Sequence, residues 1–228
     1  MTTAAAVVVL PAIRQTATFI FLHGLGDNGT GWSSVAENFR LRRKFDDCTF
    51  IFPHAPRIPI TINMGTTAPG WFDITSISGI YTEEDEPGML VSVRKIHGII
   101  NEQIDKGISS ERIILGGFSQ GGAIALLAGL TCEHKLGGIV GLSTWLPLRP
   151  RVARTRTEIN KATPIFLAHG ENDPTVKYAW GEASKQVLSG ELGYEVEWRT
   201  YPNLGHSADP QEIADMEKWL HKILPVQV

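Results

Sequence analysis

The chain has 228 residues, with 21 Lys and Arg against 24 Asp and Glu and a formal net charge of −3. A chain of this length can bury a sizeable apolar core, so a single domain over residues 1–228 is predicted. The nearly balanced charge excludes a protein whose main task is to hold nucleic acid or an anionic membrane, because both need a dense basic surface. The two cysteines exclude a disulfide framework and favour free thiols in a reducing compartment, the cytoplasm.

Short apolar runs alternate with longer helical patterns along the chain, which is typical of a mostly parallel sheet with helices on both faces. The run 4–10 is predicted to be an edge strand, because no basic flank or cleavage site marks it as a leader. The other predicted strands are 18–22, 49–53, 112–118, 138–143, 164–168 and 194–201. The predicted helices are 33–45, 90–106, 121–130, 177–188 and 210–224.

The segment 54–87 is the longest stretch without a helix or strand period, and it is rich in Pro, Gly and Ile. A loop of this length inside a compact domain usually carries function, so we expect it beside the active site. The acidic run 83–86 within it is predicted to be solvated and without a role. The Arg-rich segment 149–161 is predicted to be a solvated surface loop.

The strongest local signal is the sequence GFSQG at 117–121, a G-x-S-x-G pattern between a predicted buried strand and an apolar helix. In a nucleophile elbow the serine lies on a strained turn, and its hydroxyl is exposed at a helix N-terminus. Glycines two residues before and after the serine prevent side chains from colliding across the turn. The context therefore predicts Ser119 as a catalytic nucleophile, the alternative being an ordinary glycine-rich turn.

A serine hydroxyl needs a neighbouring base, and in this type of fold the partners follow in the order serine, acid, histidine. Asp173 follows the strand predicted at 164–168, and His206 precedes the last predicted helix. Glu171 and Asp209 compete as the acid. Asp209 stands directly before Pro210, where it fits a helix cap. Asp173 is preferred because it would hold the imidazole from a separate, rigid loop.

The loop 24–29, with the sequence GLGDNG, has two interpretations. Its G-x-G-x-x-G spacing is that of a dinucleotide-binding fingerprint, which would indicate an oxidoreductase. The next strand ends at Pro53 without the acid that would hold the ribose, and this disfavours a nucleotide. The glycines instead are predicted to free the Leu25 amide to face the site as one half of an oxyanion hole.

Together these elements resemble the acyl-protein thioesterase family, which are lysophospholipase-type carboxylesterases of the α/β-hydrolase superfamily. The resemblance covers nearly the whole chain. It is carried by FLHGLGD at 21–27, PHAP at 53–56, WFDI at 71–74, RIILGGFSQGG at 112–122, WLPL at 145–148, HG at 169–170, DP at 173–174 and GHS at 205–207. It implies an α/β-hydrolase without cofactor or metal. The implied catalytic residues are Ser119, Asp173 and His206, with the amides of Leu25 and Gln120 as the oxyanion hole.

The resemblance also implies that the substrates are long-chain thioesters on protein cysteines, with hydrolysis of lysophospholipid or carboxylic esters as a side activity. The expected partners are S-acylated proteins and acyl lipids, which the protein would reach through transient contact with a membrane surface. No nucleic acid is expected as a partner. The expected location is the cytoplasm and also the nucleus, and the oligomeric state stays open. Apolar loop residues predicted at the carboxyl edge of the sheet, namely Ile74, Ile77, Trp145 and Val176, are expected to bind the acyl chain. A general small-ester carboxylesterase and an inactive interaction module with this fold remain the alternatives.

Overall fold

A computed structural model describes residues 6–76, 81 and 83–225 of the chain. Its strands are β1 (Ala6–Val9), β2 (Ala17–Leu22), β3 (Cys48–Pro53), β4 (Arg57–Ile60), β5 (Thr66–Pro69), β6 (Ile113–Phe118), β7 (Gly138–Leu142), β8 (Ile165–Gly170) and β9 (Val196–Tyr201). Seven of them form one sheet in the order β1-β3-β2-β6-β7-β8-β9. Its neighbouring strands are parallel except β1, which runs antiparallel along β3 at the edge. The mostly parallel sheet and its edge strand are confirmed.

The helices lie on both faces of this sheet. They are α1 (Gly29–Leu41), α2 (Glu86–Asp105), α3 (Gln120–Leu130), α4 (Arg149–Thr155), α5 (Tyr178–Gln186) and α6 (Pro210–Ile223). On one face, Phe39 of α1 and Trp219 of α6 share a buried cluster with Phe19 of β2. On the other face, α2 and α3 cover Ile20, the next residue of the same strand. Because both faces are covered, the central strands β2, β3, β6, β7 and β8 are buried at nearly every position rather than at alternate ones.

Both cysteines lie in the interior of the protein. Cys48 and Cys132 are free, as the sequence predicts, and both are buried. Burial raises the pKa of the Cys48 thiol to about 12, so this thiol stays protonated and unreactive at neutral pH. Among the described residues, no helix is both long and apolar enough to cross a bilayer.

Helix α1 begins at Gly29, four residues before the start predicted from the sequence, which was wrong. The side chain of Asn28 accepts a hydrogen bond from the Thr30 N–H at 2.9 Å and caps the helix. A Cβ on Gly29 would lie 2.2 Å from the Phe52 carbonyl oxygen. The glycine therefore allows α1 to start in direct contact with β3.

The segment 54–87 contains more regular structure than the predicted loop. Strands β4 and β5 pair as an antiparallel hairpin, closed by a 3₁₀ turn over Thr61–Asn63. Asp73 holds the start of this turn, because its Oδ1 accepts from the Thr61 N–H at 2.7 Å. Gly65, directly before β5, has a positive φ of 74°, which suits a glycine at the end of a hairpin turn.

The Arg-rich segment 149–161 is not the solvated loop that the sequence predicts. It starts with helix α4, in which Val152 is fully buried. The Arg149 guanidinium lies 4.0 Å from the centroid of the Tyr81 ring, and Arg151 forms an ion pair of 2.6 Å with Glu86. The segment is ordered by contacts with residues far away in the chain, which local sequence signals do not report.

The acidic run 83–86 is also only partly solvated, so the prediction that it has no role was wrong. Glu84 is half-buried, and its Oε1 accepts from the Leu148 N–H at 2.7 Å. Desolvation raises the pKa of the Glu84 carboxyl above its usual value. Asp85 caps α2 by accepting from the Gly88 N–H at 3.0 Å. The run therefore fixes the start of α2 against the segment that precedes α4.

Candidate active site

Ser119 lies between the end of β6 and the start of α3. Its backbone has φ 54° and ψ −123°, a strained conformation for a residue with a side chain. The Ser119 N–H donates to the Leu142 carbonyl at 2.9 Å, and the Thr144 hydroxyl donates to the Ser119 carbonyl at 2.7 Å. The end of β7 and the residues after it therefore hold the strained turn in place.

The glycines around Ser119 are required by close backbone contacts. A Cβ on Gly117 would lie 2.4 Å from the carbonyl carbon of Gly121. A Cβ on Gly121 would lie 2.3 Å from the Leu22 carbonyl oxygen. The strand, the turn and the first residues of α3 thus approach each other too closely for any side chain at these positions. This is the collision that the two glycines are predicted from the sequence to prevent.

We expect Gly121→Ala to lower the free energy of unfolding by about 1–3 kcal/mol, because the added methyl group collides with backbone that cannot move freely. Gly98→Ala is the matched control. Gly98 lies within α2 and a Cβ there would meet no atom within 4 Å, so alanine should stabilise the helix by about 0.5–1 kcal/mol. Urea unfolding measures both. Equal midpoints for Gly121→Ala and the wild type would contradict the close packing of the turn.

The structure brings Ser119, Asp173 and His206 into one chain of hydrogen bonds. His206 Nε2 is 3.0 Å from Ser119 Oγ, and His206 Nδ1 is 2.7 Å from Asp173 Oδ2. An ionised carboxylate can only accept, so the Nδ1–H donates to Asp173. Nε2 is then free to accept from the Ser119 hydroxyl. This is the tautomer that a serine nucleophile needs in its base.

Asp173 is fixed from both sides. Its side chain is fully buried in the loop after β8. Its Oδ1 accepts from the N–H groups of Thr175 at 2.8 Å and Val176 at 2.9 Å, while Oδ2 faces His206. These backbone donors stabilise the ionised form and leave one oxygen for the imidazole.

The two competing acids are placed differently. Glu171 is exposed. Asp209 is the N-cap of α6, where its Oδ1 accepts from the Glu212 N–H at 2.8 Å. Its side chain therefore has the capping role that its position before Pro210 predicts.

Two further histidines lie near this chain of hydrogen bonds but have structural contacts. His169 Nε2 donates to the Val176 carbonyl at 2.8 Å, and the same nitrogen is 3.6 Å from Asp173 Oδ2. Burial lowers the pKa of His169, so the ring stays neutral and forms no ion pair with Asp173. His23 Nδ1 donates to the Gly24 carbonyl at 2.7 Å, and its Nε2 accepts from the Ala55 N–H at 3.0 Å.

Glu212 is a buried acid that the sequence reasoning missed. It is fully buried in the first turn of α6, and neither carboxyl oxygen has a hydrogen-bond partner among the described residues. Burial and the nearby charges of Asp209 and Asp173 raise its pKa to about 8. At pH 7 Glu212 is therefore mostly protonated and adds little negative charge near Asp173. In the sequence it resembles an ordinary first-turn acid, and no pattern marks its burial.

The two predicted oxyanion-hole amides are near the nucleophile. Leu25 lines the same cavity as Ser119, and its backbone N–H has no hydrogen-bond partner among the described residues. The neighbouring Gly26 has a positive φ of 84° and donates its own N–H to the Pro69 carbonyl at 2.8 Å. Gln120 is the first residue of α3, where backbone N–H groups lack partners within the helix.

The side chain of Gln120 connects the elbow to the long segment after β3. Its Oε1 accepts from the Trp71 N–H at 2.8 Å, and its Nε2 donates to the Phe72 carbonyl at 2.7 Å. The side chain is fully buried, so both hydrogen bonds are shielded from water. The sequence reasoning used only the backbone of this residue and missed its side-chain role.

A cavity of about 480 Å³ opens onto Ser119. Of the four residues predicted to bind an acyl chain, Ile74, Trp145 and Val176 line it, and Ile77 lies outside the described residues. Its apolar wall is completed by residues that the sequence reasoning did not single out for this, namely Trp32, Ile62 and Phe118. The wall presents an apolar surface beside the serine.

The first glycine of the loop 24–29 lies in close contact with the elbow. A Cβ on Gly24 would lie 3.3 Å from the Phe118 ring and 3.4 Å from Ser119 Cβ, so this glycine lets the loop pack against the elbow. Within residues 6–76, 81 and 83–225, no group of three or more His, Cys, Asp or Glu side chains is placed to hold a metal ion.

Comparisons with known proteins agree with this geometry. Residues 3–224 match the family model described as Phospholipase/Carboxylesterase. The chain belongs to this family. It is 52% identical over 224 residues to acyl-protein thioesterase 1 of Gibberella zeae, which covers 95% of each chain. It is 48% identical to acyl-protein thioesterase 1 of Neurospora crassa, covering 95% of this chain and 91% of the relative.

Two solved structures superpose well on this chain. Acyl-protein thioesterase 2 of Zea mays has a TM-score of 0.85 at 29% identity, covering 96% of this chain and 98% of its own. SOBER1 of Arabidopsis thaliana has a TM-score of 0.85 at 32% identity, covering 91% and 98%. The α/β-hydrolase fold expected from the sequence is confirmed, and the chain is a serine hydrolase of this family.

Proposed function

We propose that this hydrolase cleaves long-chain acyl thioesters from the cysteines of S-acylated proteins, with Ser119 as nucleophile, His206 as base and Asp173 as the orienting acid. The observation that carries the proposal is the unbroken hydrogen-bond chain from Asp173 through His206 to Ser119 at the mouth of an apolar cavity. The names of the fungal relatives support the same substrate class. Lysophospholipid and carboxylic esters are side substrates.

Acylation begins when Ser119 Oγ attacks the thioester carbonyl carbon and passes its proton to His206 Nε2. The electron pair of the C=O bond moves onto the oxygen, which becomes anionic. The backbone N–H groups of Leu25 and Gln120 face this oxygen and stabilise its charge. Asp173 keeps the imidazolium oriented and stabilised through Nδ1.

The tetrahedral intermediate then collapses. The C–S bond breaks, the sulfur takes the proton from His206, and the free cysteine departs. An ester between Ser119 and the fatty acyl group remains. A water molecule attacks this ester while His206 takes its proton, and the second collapse returns the proton to Ser119 Oγ. The products are a fatty acid and the protein thiol.

The acyl chain of such a substrate lies in a bilayer before cleavage, where each methylene contributes about 0.8 kcal/mol to membrane affinity. The enzyme therefore meets its substrates through a transient contact with the membrane surface. The proposal also includes action in the cytoplasm and the nucleus. The inactive interaction module is disfavoured by the complete hydrogen-bond chain at Ser119.

The test is the dependence of kcat/KM on acyl chain length. Each methylene buried against the cavity wall contributes about 0.8 kcal/mol, so kcat/KM should rise by orders of magnitude from acetyl to long-chain thioesters until the cavity is full. Ile74→Ser should flatten this rise, because Ile74 lines the cavity without contacting the reacting atoms. Ile159→Ser is the matched control, since Ile159 is half-exposed and outside the cavity lining.

A wild-type enzyme whose kcat/KM stays flat from acetyl to palmitoyl thioesters would overturn the proposal. The general small-ester carboxylesterase would then be the function that remains. If Ile74→Ser and Ile159→Ser alter the chain-length preference equally, the proposed thioesterase activity stands, but Ile74 does not bind the acyl chain.

A further inference from the structure

A second groove begins where the catalytic cavity ends. It has a volume of about 580 Å³ and runs between α1 and α6. Gly31, Trp32 and Ala208 line both this groove and the cavity at Ser119, so the two spaces meet along one ridge. Ala208 stands two residues after His206, so the meeting point is beside the catalytic base.

The geometry of the reaction assigns different directions to the two arms of a thioester. In the tetrahedral intermediate the carbonyl carbon carries Ser119 Oγ, the oxyanion, the leaving sulfur and the acyl chain. The oxyanion faces the amides of Leu25 and Gln120, and the sulfur must face His206 to receive its proton. The acyl chain takes the remaining direction, into the apolar cavity that Ile74, Trp145 and Val176 line. The polypeptide attached to the sulfur therefore leaves the site on the side of His206, where the second groove starts.

The groove has the shape and chemistry of a site for an extended chain. From Gly31 to Leu41, α1 is about 15 Å long, which matches four to five extended residues at about 3.3 Å each. Trp32, Val35, Ile213 and Ala214 are half-buried and form an apolar floor.

The far end of the groove carries charge that is already balanced. Arg42 and Glu217 line it and form an ion pair of 2.6 Å. The Asn38 Oδ1, at the rim, accepts from Arg42 Nε at 2.9 Å. Asp209 also lines the groove, and its Oδ1 is engaged as the N-cap of α6. An apolar floor whose charged side chains already have partners suits an uncharged segment better than a strongly acidic or basic one.

We propose that the groove between α1 and α6 binds the polypeptide that flanks the acylated cysteine, as an extended segment with uncharged side chains. This inference rests on the proposed thioesterase function, and it assigns the leaving-group half of the substrate to the groove, which shares only Gly31, Trp32 and Ala208 with the lining of the acyl cavity.

The test compares two thioesters with the same octanoyl chain. One is an S-octanoyl-cysteine nonapeptide with uncharged residues, and the other is S-octanoyl-N-acetylcysteamine, which has no polypeptide. The variant Ser34→Trp places an indole in the groove from α1, and Ala214→Trp does so from α6. Glu37→Trp is the matched control, because Glu37 is exposed on α1 but does not line the groove.

The ratio of kcat/KM for the peptide to kcat/KM for the small thioester should fall at least about tenfold in each groove variant, a change of 1.4 kcal/mol. It should stay at the wild-type value in Glu37→Trp. The same nonapeptide with serine in place of the acyl-cysteine should inhibit the wild type competitively, with a Ki that rises in the groove variants. Partial misfolding lowers kcat/KM for both substrates by the same factor, so the ratio is unaffected by it. If one groove variant does not fold, the variant on the other helix still tests the inference.

An unchanged ratio in both groove variants, or an equal fall in Glu37→Trp, would overturn the inference. A wild-type enzyme that cleaves both thioesters with the same kcat/KM would also overturn it while leaving the thioesterase function intact. A wild-type enzyme that cleaves neither thioester would instead overturn the proposed function.

Discussion

Ser119→Ala is expected to lower kcat by about 10⁶-fold, because loss of the nucleophile removes the acyl-enzyme route altogether. The residual rate comes from the oxyanion amides and the cavity, which the substitution leaves in place. Labelling with a fluorophosphonate should disappear in the same variant, since such probes react with an activated serine. Stopped assays on a long-chain thioester and mass spectrometry of the labelled peptide measure the two effects.

The double variant Ser119→Ala with His206→Ala should lose little more than Ser119→Ala alone. His206 acts on the Ser119 proton, so without that proton the imidazole has no step left to assist. Multiplied losses in the double variant would show that the two side chains work independently. Labelling that persists in Ser119→Ala would place the nucleophile elsewhere.

Asp173→Asn is expected to lower kcat by about 10⁴-fold through the tautomer of His206. The N–H groups of Thr175 and Val176 both point at Oδ1, so the asparagine must place its carbonyl oxygen there. Its NH₂ group then faces His206 Nδ1 and donates to it. The imidazole proton moves to Nε2, which can no longer accept from the Ser119 hydroxyl.

Glu171→Gln and Asp209→Asn are the controls for this effect. Glu171 is exposed, and asparagine at 209 keeps an oxygen that can cap α6. Both variants should keep near wild-type kcat. Full activity in Asp173→Asn together with a large loss in either control would move the acid to that control position.

The sequence predicts the parts of this molecule that depend on local chemistry. The continuous apolar runs predict the buried parallel strands, because a strand covered on both faces has no solvent-facing positions. The glycines around Ser119 predict the elbow, because a Cβ on Gly117 or Gly121 would lie only 2.3–2.4 Å from backbone atoms. The order of serine, acid and histidine predicts which side chains meet. The extent of the domain, residues 1–228, stays a prediction.

The parts that escaped prediction depend on contacts between distant residues. Strands β4 and β5 are only four residues long and partly exposed. The sequence of β4 alternates, but over too few residues to mark a strand, and β5 contains neither an apolar run nor an alternation. Helix α4 is fixed by Arg149 on Tyr81 and by Arg151 on Glu86, which no local pattern encodes. The groove between α1 and α6 ends at Arg42 and Glu217, which are 175 residues apart in the chain.

The two hydrogen bonds of the Gln120 side chain separate residues of the long segment that are tied to the catalytic centre from residues that can be substituted without disturbing it. The backbone of Trp71 and Phe72 is hydrogen-bonded to the residue that follows Ser119, so a shift there would also move the Gln120 amide that we propose for the oxyanion hole. Ile74 lies beyond these two hydrogen bonds and lines the cavity. Protein engineers can therefore change substrate length at position 74 and beyond without retuning the catalytic centre. Position 120 itself must keep a side chain that both donates and accepts, so even glutamate there would disturb the geometry of the reaction.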